Sequence, residues 1–379
     1  MRVALLTYSV KPRGGVVHAL NVAEALAARG HAAELFAIGP PGTRFFREPA
    51  VPAYVVPHVP VDHPFDARIA GMIEAYAEGL RDRLAGFDVV HAQDCISANA
   101  ALALRDEGAI AAVLRTVHHV DDFRSPALIA CQERSIVAPD ALLCVSQPWV
   151  RRLREDFGVH AGLVRNGVDT RRHRPPRDAA EREADRAALD CGERFVVLAV
   201  GGIEPRKGSL ALLDALAALP EALLVVAGGA TLFDYRDELE RFAARRAALG
   251  LGDERVRILG PVSDAELERL YRAADALAFP SVQEGFGLVV LEALASELPV
   301  VASDLDVLHG VVADGESALL VPPGDGAALG RALARLAGDR GLADRLRAAG
   351  RAVVARFGWD AAAEAHERAY AQFLALAAR

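Results

Sequence analysis

The chain has 379 residues, 52% of them hydrophobic, and a formal net charge of -8. That length exceeds one ordinary core and fits two domains, and the apolar content fills both and argues against disorder. The acidic balance disfavours a nucleic-acid partner, and every apolar run is soon broken by a charge, Gly or Pro, so no segment reads as a membrane span.

The N-terminus, Met1 to Thr7, lacks the basic stretch, long apolar region and cleavage site of a leader, and Val3–Thr7 reads as a first strand. Val16 to Ala28 has apolar residues at helical spacing, and Gly30 closes it. Buried strands follow at Asp88–Ala92, Ala112–Val117 and Ala141–Val145, with helical stretches between them. From Asp169 to Glu193 the rhythm lapses into Arg, Pro, Asp and Glu, which reads as a domain linker. The cluster of Arg165, Arg171, Arg172, Arg174 and Arg177 around Pro175 and Pro176 reads as solvated. Strands then resume at Phe195–Val200, Leu223–Ala227, Val256–Leu259, Ala276–Phe279, Val300–Ala302 and Ala318–Val321, and a helical tail runs from Trp359 to Ala378. This alternation predicts an α/β protein of two tandem Rossmann-like, doubly wound parallel-sheet domains, over 1–175 and 190–357. Such sheets bind ligands beyond the carboxyl ends of their strands, so two of them facing each other would share one cleft.

Four stations follow strands and carry chemistry. Lys11-Pro12-Arg13-Gly14-Gly15 opens the first helix, where free amides attract anions; a plain turn is the bland alternative. His118-His119-Val120-Asp121-Asp122 suits acid–base work or hydroxyl binding, with His118 the favoured site residue. A metal there is disfavoured, because adjacent residues of a strand point to opposite sides. Glu204-Pro205-Arg206-Lys207-Gly208, after Gly201-Gly202, places two cations beside a helix start and suits a diphosphate; a solvated basic turn is the alternative. Glu284-Gly285-Phe286-Gly287-Leu288-Val289-Val290-Leu291-Glu292 is the sharpest, a tight turn into an apolar helix that carries a carboxylate. A buried unpaired carboxylate is costly, so Glu292 needs a partner: a ribose diol, or else a core Arg or backbone amides. Cys95, Cys131, Cys144 and Cys191 are scattered with no CxxC pair or ligand-spaced His, which predicts a reduced cytoplasmic protein without structural zinc.

At these residues the chain resembles a retaining glycosyltransferase of the GT-B class, family 4. The resemblance runs nearly end to end: the Gly-Gly loop, Val145-Ser146, Asn166-Gly167-Val168-Asp169, Leu259-Gly260 with Leu267, Tyr271 and Asp275, the Lys207-Gly208 element, and Glu284 to Glu292 as the family's E-x7-E element. It implies that the tail, 358–379, crosses back onto an acceptor-side N-terminal domain, and that the C-terminal domain holds a nucleotide-sugar. Lys207 would neutralise the diphosphate, Glu284 would hold the transferred sugar, Phe286, Gly287 and Leu288 would offer amides, and Glu292 would bind the ribose. His118 would hydrogen-bond the sugar near the reacting carbon, and Gly15, beside Gly14, would pack on the diphosphate. Asp121 and Asp122 join Gln93, Asp94 and His119 as acceptor candidates. The implied mechanism uses no cofactor and no obligatory metal. In one departure, Gly202 stands where the family usually has an Arg on the diphosphate, a contact worth about 1.5–3 kcal/mol; Arg206 or Arg13 would compensate.

A nucleotide-sugar epimerase or hydrolase and a non-catalytic relative are the competing readings, with an NAD enzyme weakest for want of a full GxGxxG. The helix carrying Trp149, Arg151, Arg152 and Arg154 offers either weak peripheral membrane contact or, as favoured, a solvated face.

Overall fold

The computed structural model describes residues 1–59, 65–123, 125–228 and 236–377. It divides into two compact units, Met1–Gly167 with Trp359–Arg379, and Val168–Gly358. The chain leaves the first unit after Gly167, not at 175, and returns after Gly358.

In the first unit the order is β1 (Arg2–Leu6), α1 (Gly14–Ala28), β2 (Ala32–Gly39), β3 (Ala53–Pro57), α2 (Phe65–Leu80), β4 (Val89–Ala92), α3 (Cys95–Asp106), β5 (Leu114–Val117), α4 (Pro126–Val137), β6 (Ala141–Cys144), α5 (Gln147–Phe157) and β7 (Gly162–Leu163). The strands form one parallel sheet in the order β3-β2-β1-β4-β5-β6-β7. Both faces are covered, and the period of two explains how. Val3 and Leu5 of β1 pack into a core with Val16, Leu20 and Leu26 of α1. Ala4 and Leu6 pack on the other side with Tyr76 and Leu80 of α2 and Leu102 of α3.

The second unit runs α6 (Ala179–Ala188), β8 (Val196–Val200), α7 (Ser209–Ala215), β9 (Leu223–Ala227), α8 (Arg236–Ala248), β10 (Val256–Gly260), α9 (Asp264–Ala273), β11 (Ala276–Phe279), α10 (Leu288–Ala295), β12 (Val300–Ser303), β13 (Leu319–Val321), α11 (Gly326–Gly338) and α12 (Arg340–Val354). Its parallel sheet has the order β10-β9-β8-β11-β12-β13. The last helix, α13 (Trp359–Ala377), belongs to the first unit, where Ala363, Tyr370 and Phe373 join the core on α1. Tyr370 also hydrogen-bonds His91 of β4 at 2.8 Å, and Glu367 clamps Arg29 (2.8 Å) and His31 (2.7 Å).

The stretch 169–193 is not an open linker. Asp178 caps α6 by accepting from the Glu181 amide at 2.8 Å, and Ala, Glu and Arg fill the helix with strong formers. Arg182 and Arg186 of α6 then pair with Asp275 at 2.7 and 3.0 Å, and Asp275 also accepts from the Val196 amide. The arginine cluster divides: Arg172 pairs with Asp264 and Glu268, and Arg174 with Glu181, while Arg165, Arg171 and Arg177 are exposed. On α5, Trp149 is buried and Arg152 stacks over it while pairing with Asp156. On the same helix Phe157 is half-buried, and Arg151 and Arg154 are exposed. Among the described residues no helix is long and apolar enough to cross a membrane.

Candidate functional site

The sheet orders define where each sheet leaves a crevice. In each sheet the chain winds outward in one direction and then reverses, between β1 and β4 in the first unit and between β8 and β11 in the second. At such a switch point the flanking loops diverge and leave a crevice. The four sequence stations lie on loops that leave β1, β5, β8 and β11.

In the second unit, β8 runs into Gly201, whose φ of 142° favours glycine. Pro205–Lys207 then makes one 3-10 turn, and Gly208 at φ 64° leads into α7. The turn is docked on the loop after β11, because the Val282 amide donates to the Arg206 carbonyl at 2.8 Å. This brings Lys207 Nζ into an ion pair with Glu284, near the face of Phe279 at 5.5 Å. Arg206 lies 3.3 Å from the same Glu284 oxygen and 3.0 Å from buried Glu204, and the Ser281 hydroxyl donates to Glu284 at 3.2 Å. So the two cations are not a solvated basic turn; carboxylates hold them in the crevice. Gly287, at φ 94°, is packed against Leu308 and opens α10. No side chain caps that helix and its first turn holds no acid, so the amides at Leu288 and Val289 form an anion-attracting end beside Lys207 and Glu284. Phe286 is buried against Phe357.

Glu292 is one turn further along α10. Its partner within the protein is neither an arginine nor backbone amides: the buried Tyr271 hydroxyl donates to Oε2 at 2.7 Å. The Oε1 atom faces His173 Nε2 at 3.9 Å. Burial beside that carboxylate pushes the Tyr271 phenol well above its usual range. In the sequence Tyr271 belongs to the family pattern without a role of its own, and His173 falls within the 169–193 stretch. The Asp169 carbonyl accepts from the His173 amide at 2.9 Å, and no local pattern in the sequence marks the ring for this contact.

In the first unit Gly15 lies against His118: a β-carbon there would meet the imidazole at 3.4 Å and the Gln93 carbonyl at 3.8 Å. Gly14, by contrast, has open space around it. The first turn of α1 is again uncapped and free of acids. His118 Nε2 lies 3.1 Å from Gln93 Oε1, which accepts and so places the proton on Nε2. His119 turns the other way and pairs with Asp121 at 3.2 Å, while the Asp121 backbone is tied to Gln132 and Asp122 is exposed. Asp94 caps α3 and accepts from the Tyr8 amide at 2.8 Å. Asn166, part of the Asn166-Gly167-Val168-Asp169 motif, accepts at its Oδ1 from His18 Nδ1 at 2.5 Å.

Behind His118 lies a buried histidine group. His18 is edge-on to His118 at 4.9 Å and 5.3 Å from His366, which is 5.9 Å from His91. Burial, with neighbouring imidazoles adding to it for His118, pushes His118 down to about 3 and His366 down to about 4; His18 and His91 also fall well below the usual value. All four are therefore neutral at pH 7. Unfolded histidines protonate near 6.5, so the unfolded chain binds more protons below that pH and stability falls as the solution is acidified. At pH 5, His118 and His366 each cost about 2 kcal/mol. We expect thermal unfolding of the first unit to be flat above pH 7 and to drop by many degrees between pH 6.5 and 4.5. Calorimetry across that range checks this, and a flat profile would contradict the buried neutral group.

Among the described residues no group of three His, Cys, Asp or Glu side chains is placed to hold a metal ion. Residues 181–353 match the family model for glycosyl transferases group 1, and residues 12–172 match that for glycosyltransferase family 4. The chain is 32% identical to a D-inositol 3-phosphate glycosyltransferase of Xylanimonas cellulosilytica, over 98% of this chain and 96% of the relative. It is also 32% identical to a phosphatidyl-myo-inositol mannosyltransferase of Mycobacterium leprae, again over 98% and 96%. A sucrose-phosphate synthase from Thermosynechococcus elongatus is similar in fold, with a TM-score of 0.84 at 24% identity over 99% of this chain and all of that one.

Proposed function

This chain belongs to glycosyltransferase family 4, and from that membership we propose how its residues divide the work of sugar transfer. It is a retaining glycosyltransferase, moving a hexosyl group from a nucleotide-diphosphate sugar to a hydroxyl acceptor. One observation carries the division of roles: Lys207, Arg206, Glu284 and the uncapped start of α10 meet at one switch point of the second unit. Lys207, with Arg206 and the amides at Gly287 and Leu288, would take the diphosphate. As the bond from the sugar carbon to the diphosphate oxygen breaks, negative charge grows there, and preformed donors in a partly dry crevice stabilise it most. The acceptor oxygen forms the new bond on the same face, and its proton passes to the departing diphosphate. Glu284, released from its cations by the incoming phosphates, would hold hydroxyls of the transferred sugar. Glu292 would hold the ribose. On the first unit, neutral His118 and the amides of Gly14 and Gly15 would present polar groups to the substrates, with Asp121 and Asp122 toward the acceptor.

Arg206 fits the compensating role for the missing arginine at 202, because its guanidinium is already held over Glu284. The charge is supplied by side chains and amides, so transfer should persist in a chelator such as EDTA; abolition by EDTA, restored by a divalent ion, would overturn a metal-free mechanism. The names of both relatives put the acceptor hydroxyl on a phosphorylated inositol, free or lipid-linked, and those two acceptors head the assay. Four free thiols favour a cytoplasmic location.

The experiment is incubation of the purified chain with UDP-, GDP- and ADP-sugars and these acceptors, following product and its anomeric configuration. Transfer with retention supports the reading; rapid epimerisation without acceptor would contradict it. Glu284→Gln should lower kcat about 100-fold while the protein still folds, since Ser281 and Lys207 can bond an amide. Unchanged turnover would remove Glu284 from the site.

A further inference from the structure

Glu292 is held in a way that its own reading does not require. The Tyr271 hydroxyl donates to Oε2 at 2.7 Å, and Oε1 is turned to His173 Nε2 at 3.9 Å, too far for a direct hydrogen bond. The two partners brace each other, the His173 ring standing edge-on to Tyr271 at 5.4 Å and 87°. His173 itself is clamped: its amide donates to the Asp169 carbonyl, Arg172 beside it is pinned by Asp264 and Glu268, and Arg174 by Glu181. Its other nitrogen, Nδ1, is buried with no partner.

We propose that His173 and Tyr271 are positioning residues for Glu292, fixing its carboxylate so that Oε1 meets the sugar hydroxyls of a bound ribonucleoside diphosphate. Tyr271 sets the rotamer through Oε2, and His173 closes the far side of Oε1, leaving the ligand's hydroxyls as its hydrogen-bond donors. The inference rests on the reading of Glu292 as the ribose-holding residue.

The test compares dissociation constants for UDP and 2′,3′-dideoxy-UDP, with the GDP and ADP pairs in parallel and pyrophosphate as control, for the native chain, Glu292→Gln, His173→Phe and Tyr271→Phe. The native chain should prefer the best ribonucleotide by about 10-fold or more, because a site built around a hydroxyl rejects the analogue that lacks it. Both positioning variants should lose about 5-fold of that preference, with pyrophosphate binding unchanged and donor KM raised while kcat holds. A full preference in His173→Phe and Tyr271→Phe, alongside its loss in Glu292→Gln, would overturn the positioning role alone. A full preference in Glu292→Gln, or none in the native chain, would overturn the ribose reading beneath it. If Tyr271→Phe fails to fold, His173→Phe carries the test by itself.

Discussion

Lys207→Ala should lower kcat by about 100- to 1000-fold, or roughly 3–4 kcal/mol of transition-state stabilisation, with the fold intact. The ammonium group faces the crevice beside the uncapped start of α10, where the leaving diphosphate gathers charge. Its removal takes away an interaction that strengthens as the bond breaks, so the loss belongs in kcat more than in donor KM. Stability should change little. Without Lys207, Glu284 keeps Arg206 at 3.3 Å and the Ser281 hydroxyl at 3.2 Å, and its charge is not abandoned. Steady-state kinetics and a thermal melt on the same preparation separate the two effects. Normal transfer by this variant would remove the lysine from the mechanism. A large fall in melting temperature would make it a structural residue.

The second large effect is on stability. Gly208 has φ 64°, and a β-carbon there would overlap the carbonyl of Pro280, the residue that opens the loop after β11. Gly208→Ala must therefore enter the left-handed region, costing about 1–2 kcal/mol, and also push apart two loops joined by the Val282 amide and Arg206 carbonyl. Overpacking adds about 1–3 kcal/mol. A total near 3 kcal/mol should appear in urea unfolding, and the surviving folded protein should also turn over slowly, because the displaced turn carries Lys207. Gly14→Ala is the control: nothing surrounds a β-carbon there, and it should unfold at nearly the native midpoint. Equal midpoints for the two variants would show that the loops are not packed as described.

What the sequence disclosed follows from where periodicity is strong. Leu223–Ala227 and Ala276–Phe279 are buried on both faces and read as continuous aliphatic runs, and their bounds match the observed strands. By contrast β2 opens Ala-Ala-Glu, which favours a helix by propensity, and becomes a strand through pairing with β1. The strand β3 ends on a proline and lies at the sheet edge, where that residue is tolerated, while β7 has two residues and leaves almost no pattern. The helix α6 is hard to read because its apolar residues are all alanines and its buried position is Asp185, so no stripe of large apolar side chains marks a face. The candidate site was more legible than the fold around it. Lys207, Glu284 and the α10 start had to follow strands to be useful, and they converge. The links between them were hidden, since the contacts of Tyr271, Ser281 and His173 depend on tertiary placement that local spacing does not encode.

The return of α13 to the first unit has a consequence for synthesis. Tyr370 and Phe373 fill the same core as β1 and α1, and Tyr370 bonds the buried His91, so the first 167 residues leave the ribosome lacking part of their own interior. The second unit, continuous from Val168 to Gly358, is complete before the tail emerges. The half translated first is thus the half finished last, and premature termination anywhere before residue 359 leaves it with an open, apolar gap.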